Sequence, residues 1–113
     1  MAQRWPFEPH VQDLLELLVL GEYLEIERRS AGVRLTADHL ASAVAEYGRN
    51  LVLPPSELSG LLDVVAHGSG AGWSVNVPLW TREEGRSDLT LEITVMTNPN
   101  GTYRIEVDNL HVI

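Results

Sequence analysis

Leu79-Trp80-Thr81-Arg82-Glu83-Glu84-Gly85-Arg86-Ser87-Asp88-Leu89-Thr90-Leu91 is the stretch that decides the fold, because a charged turn here joins two segments of alternating apolar residues. Alternation with a period of two is typical of a β-strand with one buried face. A short connection implies that the two strands are antiparallel neighbours. The stretch therefore predicts a β-hairpin whose turn spans Arg82 to Arg86.

The apolar residues on either side of this turn can be matched against one another. Pairing Leu79 with Leu89 aligns three further pairs and puts all eight side chains on one side: Val77 with Leu91, Val75 with Ile93, and Trp73 with Val95. A slip of one residue would turn all of them to the other face, so the register is strongly specified. Pro78 cannot donate to the ladder, which predicts a bulge or an outward-facing amide position there and limits pairing on the other side of that strand.

A second hairpin follows at Asn98-Pro99-Asn100-Gly101, which fits a type I turn closed by a left-handed glycine. This turn pairs Val95 with Ile105 and Ile93 with Val107. Continued without a break, the same register would turn Asn109 and His111 toward the apolar face. We therefore predict a β-bulge near Asp108-Asn109 that turns Leu110 and Val112 inward instead.

The first half of the chain has helical spacing, and the second half has strand spacing. The predicted helices are Pro9 to about Leu20, Glu22 to Arg29, and Ala37 to Tyr47 with Thr36 as N-cap; the predicted strands are Leu62 to His67, Gly72 to Thr81, Ser87 to Thr97 and Thr102 to Ile113. The fold class is α+β, with N-terminal helices packed on one face of a C-terminal antiparallel sheet of three to four strands in a meander. We expect one domain over residues 1–113, divided into a helical half (1–50) and a sheet half (51–113).

The opposite face of the predicted sheet collects the candidate partner-binding residues. These are Trp80, Arg82, Arg86, Asp88, Glu92 and Asp108. Glu92 is expected directly across from Asp108, an arrangement that is destabilising unless Arg104, His111, a bound cation or a partner's arginine compensates it. A large aromatic on a charged surface is a composition favoured at binding hot spots, whereas polar outward faces are also the ordinary state of antiparallel sheets.

Composition excludes several classes of function. The formal charge of −8 comes from 16 acidic against 8 basic residues, so nucleic-acid binding through a basic footprint is disfavoured and a basic partner suits the chain better. The absence of cysteine excludes thiolate metal sites and disulfides and favours the cytoplasm. We find no signal-peptide pattern and no apolar run long enough to cross a membrane. The four histidines have no metal-ligand spacing, so we expect neither a metal nor a cofactor.

Three functions remain open from the residues alone. The first is a non-enzymatic interaction module, regulatory or immunity-type, that engages a basic protein through the polar face. The second is a small-ligand pocket or enzyme between helices and sheet, in which His111 and Asp108 act as general acid and base. The third is a structural domain in which one sheet face forms a homodimer.

The string from Leu79 to Glu92, together with Val107-Asp108-Asn109-Leu110-His111-Val112, resembles a family of small bacterial domains common in actinobacteria. The resemblance extends upstream through Gly21-Glu22-Tyr23 and Ala45-Glu46-Tyr47-Gly48. That family is a domain of unknown function, so the resemblance implies no activity, cofactor or catalytic residue. The order of helices before a curved sheet is also similar to the nuclear transport factor 2 and cystatin-like folds, an analogy of fold that says little about function.

Overall fold

The computed structural model describes residues 5–30, 32, 34–55, 58–68 and 71–113, and it leaves the side chain of Ser59 undescribed. Ser69 and Gly70, in the connection that we predicted between two strands, lie outside these residues. The elements run in the order of three helices followed by five strands, with a short 3-10 helix, Leu58–Gly60, between the first two strands. The α+β fold class is confirmed.

Three helices form the first half, close to the predicted bounds: α1 (Glu8–Leu20), α2 (Tyr23–Arg29) and α3 (Ala37–Tyr47). Gly21, in the left-handed conformation, ends α1, since its φ of 76° carries little cost for glycine. Thr36 caps α3 as predicted, because its hydroxyl accepts from the backbone N–H of His39 while the His39 ring bonds back to the N–H of Thr36. This reciprocal arrangement is a capping box with histidine in the place of the usual glutamate or glutamine.

One antiparallel sheet contains all five strands, β1 (Leu51–Val52), β2 (Asp63–Ala66), β3 (Gly72–Thr81), β4 (Gly85–Thr97) and β5 (Tyr103–Val112). The main path is β1-β3-β4-β5, and β2 also pairs with β3. The last three strands are the predicted meander. The two short strands share one edge of β3, with residues 77–79 unpaired between them. Pro78 lies in this gap, so the expected limit on pairing at Pro78 is confirmed.

The register of the β3–β4 hairpin matches the prediction from Trp73 to Pro78 and then departs from it. Trp73 faces Val95 and Val77 faces Leu91, but the predicted pairing of Leu79 with Leu89 is wrong. The ladder resumes at Trp80 with Arg86, so β4 carries two extra residues at this point. The physical reason is local: Ser87 donates its hydroxyl to the carbonyl of Leu79 at 2.9 Å and accepts the N–H of Leu89. Because two residues are inserted rather than one, the inward and outward faces are unchanged.

The predicted bulge in β5 is confirmed. Ile93 pairs with Val107, whereas the next residue, Glu92, pairs with Asn109, so Asp108 is the additional residue. Leu110 is turned into the core and is 6% exposed. Val112 follows on the same side, opposite Leu89, but it remains 56% exposed because it lies at the end of an edge strand.

The core lies between the helices and the inward face of the sheet. Its buried side chains are Phe7, Val11, Leu14, Leu15, Leu18, Ile26, Leu40, Leu58, Val75, Val77, Leu79, Leu89, Leu91, Ile93, Val95, Val107 and Leu110. The shortest dimension of the molecule is 21 Å, the thickness of one helical layer on one sheet at about 10 Å each. Among the described residues, no helix therefore lies over the other face of the sheet. Within the described residues, none of the helices has the length and apolar character needed to cross a membrane.

Candidate functional site

The outer face of the sheet, meaning the side of β2 to β5 turned away from the helices, is the candidate site. Strand alternation places five carboxylates there: Asp63, Asp88, Glu92, Glu106 and Asp108. Two arginines, Arg86 and Arg104, share the surface. The sequence therefore predicted correctly that the outer face would be dense in charge and acidic in balance.

Trp80 and Arg86 form one end of the outer face, where the β3–β4 ladder resumes. They are directly paired across the strands, and the guanidinium carbon of Arg86 lies 5.9 Å from the centre of the Trp80 ring. This is within the range of a cation–π contact, which contributes an attraction of about 0.5–1 kcal/mol at an exposed site and so restricts both side chains. The indole is half-buried, while Arg86 and the neighbouring Asp88 are exposed. The result is an aromatic platform with a cation on it and a carboxylate beside it.

Arg82 does not join this group. It lies in the turn after β3, where its backbone N–H donates to the carbonyl of Asn50 at 2.8 Å, and it borders a groove beside β1. The next residue, Glu83, accepts from the backbone N–H and the side-chain amide of Asn50 at 2.8 and 2.6 Å. These hydrogen bonds hold the pKa of the Glu83 carboxyl below its ordinary value. The turn is therefore tied to β1, and Arg82 belongs to a different surface from the other five predicted residues.

Glu92 meets His111, and the expectation that Glu92 lies across from Asp108 is wrong. The bulge shifts the ladder so that Glu92 faces Asn109, which separates the two carboxylates along β5. His111 Nε2 lies 2.5 Å from Glu92 Oε2. The two groups are not aligned as a hydrogen bond, and their close approach is an ion pair only when the imidazole is protonated. The sequence offered four groups that could offset the charge of Glu92: Arg104, His111, a bound cation or a partner's arginine. Among the described residues, His111 is the one of these that contacts Glu92.

Asp108 is the bulged residue, and its two oxygens have different surroundings. Oδ2 accepts a hydrogen bond from the Thr94 hydroxyl at 2.6 Å. Oδ1 is buried without a hydrogen bond and has Arg34 Nε at 3.7 Å. Arg34 also approaches Glu106, with its Nη2 at 3.7 Å from Oε2. At these distances, and with an arginine side chain that is 67% exposed, the attraction is weak.

Arg34 is the residue of this site that sequence reasoning missed. It follows α2 in the chain, more than 70 residues from its two carboxylates. Ser30, four residues earlier in the chain, lies at the edge of β5, where its hydroxyl accepts the backbone N–H of Val107 at 2.9 Å. No local spacing in the sequence signals such a contact.

The chemistry available on the outer face is recognition through charge and one aromatic ring. Among the described residues, no three histidine, cysteine or acidic side chains are grouped so that they could hold a metal ion. The histidine predicted to work with Asp108 is instead held by Glu92. A carboxylate beside an imidazole can relay a proton, but catalysis also requires that a substrate reach it.

An open cleft of about 620 Å³ lies between α3 and the ends of β4 and β5. Its lining residues are Ala43, Glu46, Tyr47, Leu89, Leu110, His111 and Val112. Tyr47 has a raised pKa because burial and a hydrogen bond to Glu84 disfavour the phenolate. His111 thus stands between two surfaces, with its Nε2 turned to Glu92 and its strand bordering the cleft.

Comparison with known proteins identifies a family without a known activity. Residues 15–113 match a family described as a domain of unknown function (DUF7668). No curated protein and no solved structure matches the chain. The resemblance to an uncharacterised domain family is therefore confirmed, and the analogy with the nuclear transport factor 2 and cystatin-like folds stays a prediction.

Proposed function

We propose that this chain, which belongs to the family DUF7668, is a non-enzymatic protein-interaction module, regulatory or immunity-type, whose outer face binds a protein with a basic surface. The observation that carries the proposal is a charged sheet face with an aromatic platform and no helical layer over it. Such a face is accessible to a partner, whose own surface would then lie over it as a further layer. Nucleic acid and membrane lipid are not the partners we propose, because the chain is acidic.

Trp80 is the proposed anchor of the interface. A tryptophan combines a large apolar area with few rotatable bonds, and its contact with Arg86 already restricts it. Little conformational entropy is then lost when a partner covers the ring. Asp88 lies beside the platform, is exposed and makes no ion pair within the described residues, so it is available to a cationic side chain.

The carboxylates supply charge complementarity. Five of them share the outer face with Arg86 and Arg104, and Arg34 reaches the face from the edge of β5. The excess of negative charge would speed association with a basic surface and weaken it as salt is added. Since the chain contains no cysteine that would require an oxidising compartment, we propose that this interaction takes place in the cytoplasm.

The test begins with affinity capture by the intact chain and continues with the captured protein in purified form. We expect Trp80→Ala and Asp88→Arg each to weaken its affinity about tenfold or more, in line with a hot spot of about 1.4 kcal/mol or more. The matched control is Glu16→Arg, which makes the same charge change at an exposed position of α1, on the helical side. Circular dichroism would check that all three variants remain folded.

Three results would contradict the proposal. If Glu16→Arg weakened binding as much as Asp88→Arg, the effect would come from overall charge and not from the outer face. If Trp80→Ala left the affinity unchanged, the aromatic platform would have no part in binding. A captured protein with an acidic surface would also overturn the proposed chemistry.

The alternative function is a small-ligand or enzymatic site, and the cleft beside His111 is the observation that favours it. In this alternative His111 and Asp108 would act as general acid and base. Native mass spectrometry of the purified chain would favour it if a small molecule co-purified and was lost in His111→Gln. The structural alternative, a homodimer through one sheet face, predicts a dimer in sedimentation, and a monomer at high concentration would exclude it.

A further inference from the structure

The free edge of β1 differs from the edge of β5. At β5 the backbone N–H of Val107 donates to the Ser30 hydroxyl, so the chain itself occupies this position of that edge. At β1 the carbonyl of Asn50 accepts the N–H of Arg82 at 2.8 Å. Antiparallel ladders alternate, so the next residue, Leu51, turns its own N–H and C=O away from β3. Neither group has a hydrogen-bond partner among the described residues, and exposed pairs of this kind are templates for another strand.

A groove runs beside this edge, with an open volume of about 1030 Å³. Five consecutive residues, 49–53, line it along the strand, and apolar side chains from the helices line the opposite side: Leu18, Val19, Tyr23 and Val44. Leu53, at the end of the strand, is 40% exposed. A second strand laid against β1 would therefore find apolar contacts for its alternate side chains as well as backbone partners.

Arginine supplies the charge of this groove. Arg49 and Arg82 line it, and none of its lining residues is acidic, although acidic residues outnumber basic ones by 16 to 8 in the chain. The nearby Glu83 is held by two hydrogen bonds from Asn50, and the charge of Arg49 makes a smaller contribution to lowering the pKa of its carboxyl. Neither arginine makes an ion pair within the described part of the chain, and Arg49 has one long bond, of 3.4 Å, to the carbonyl of Gly48. The groove thus has the opposite charge preference from the outer face.

We propose that the edge of β1 is a second binding site, which takes an extended segment of a partner protein by strand addition. The segment carries alternating apolar and acidic side chains. Its backbone pairs with Leu51, its apolar side chains enter the groove, and its carboxylates meet Arg49 and Arg82. A second copy of this chain is a poorer occupant, because each copy has a formal charge of −8 and β1 offers only two paired residues. The open edge of β2 is also less suited to an acidic segment, since Asp63 stands at its start.

The experiment uses the full chain labelled with ¹⁵N and a capped peptide of eight residues that alternates valine and glutamate. We expect the amide signals of Leu51 and Leu53 to shift on titration and the hydrogen exchange of the Leu51 amide to slow. The matched probe has lysine in place of glutamate, and it should bind at least about fivefold more weakly, since its ammonium groups would meet two arginines of like charge at an exposed site.

A charge-reversal pair tests the role of the arginines. Arg49→Glu with Arg82→Glu should reverse the preference between the two peptides. The control, Arg28→Glu with Arg104→Glu, changes the net charge by the same amount at exposed positions that do not line the groove, and its affinity should stay within about twofold, since scattered surface charges are screened.

Three results would overturn the proposal. The first is the absence of any shift at Leu51 at millimolar peptide. The second is binding without slowed exchange at Leu51, which would mean contact through side chains alone. The third is a concentration-dependent shift of these signals without peptide, which would identify a second copy as the occupant. Because Asp88 does not line the groove and is not paired with β1, Asp88→Arg should bind the peptide normally, so failure here is separable from failure of the outer-face proposal.

Discussion

Deleting Asp108 and deleting Glu106 should have opposite consequences, although the two residues are neighbours on the same face of β5. Both deletions shorten the strand by one residue and leave Glu92 facing Asn109 and Leu91 facing Leu110. They differ in one respect. Deleting Asp108 removes the bulge and keeps Val107 opposite Ile93, whereas deleting Glu106 turns Val107 outward and puts Asp108 into the core opposite Ile93.

The two costs can be worked from the contacts. Without Asp108, the protein loses a hydrogen bond to a charged acceptor, about 1.5–3 kcal/mol, and also loses a buried oxygen without a hydrogen bond, whose cost is about 1–3 kcal/mol. These terms oppose one another, so we expect a net loss of about 2 kcal/mol or less. Without Glu106, the burial of Val107 is lost, about 1.5–3 kcal/mol, and a carboxyl group enters an apolar site at about 2–7 kcal/mol.

The assay is urea unfolding followed by tryptophan fluorescence and far-UV circular dichroism. A loss of at least about 3.5 kcal/mol lowers the midpoint by at least about 1 M at the usual urea dependence of about 1–3 kcal/mol per M, and it removes much of the usual total stability of about 5–15 kcal/mol. The variant without Glu106 should therefore be largely unfolded, while the variant without Asp108 keeps a cooperative transition near that of the wild type. If the two midpoints fell together, the assignment of inward and outward faces in β5 would be refuted.

Three further outcomes test other parts of the structure. Gly72→Ala should lower stability by about 1–3 kcal/mol in the same assay, since its Cβ would lie 2.5 Å from a carbonyl oxygen of β4, whereas Gly68→Ala, with open space around it, should not. Thr36→Ala should cost about 1 kcal/mol through loss of the N-cap, and a change within error would mean that the cap is not formed in solution. Burial and a hydrogen bond to Glu84 raise the pKa of Tyr47. The stability that Tyr47 contributes is therefore complete below about pH 10 and is lost as the pH rises through its folded-state pKa. Unfolding of the wild type and of Tyr47→Phe across that range should show the wild type losing stability and the variant not.

Most of the fold could be predicted because it follows from the spacing of apolar and turn residues within single elements and hairpins. The bounds of α3, the cap at Thr36, the turn at Gly101 and the bulge at Asp108 all follow from which residues must face the core within one element or one hairpin. The bulge is the clearest case, since parity alone required an additional residue between Val107 and Leu110. The error at Leu79 and Leu89 has the same origin: two inserted residues preserve parity, so the apolar pattern could not reveal them.

The candidate site was predictable in composition and less so in contacts. The outward positions of Trp80, Arg86, Asp88, Glu92 and Asp108 follow from alternation, and they were placed correctly on the outer face. The contacts between these side chains were not predicted correctly. The bulge at Asp108 shifts the pairing of β4 with β5, so that Glu92 contacts His111 and not Asp108.

What the sequence determined by itself is therefore the identity of each face, because a side chain's direction in a strand or helix depends only on its own position and period. What only the tertiary structure decided is how distant segments meet. Arg34 reaches Glu106 and Asp108, Ser30 covers the edge of β5, and β1 and β2 share one edge of β3. These contacts depend on how helices and strands pack against one another. The spacing of residues within one element does not determine which distant elements meet.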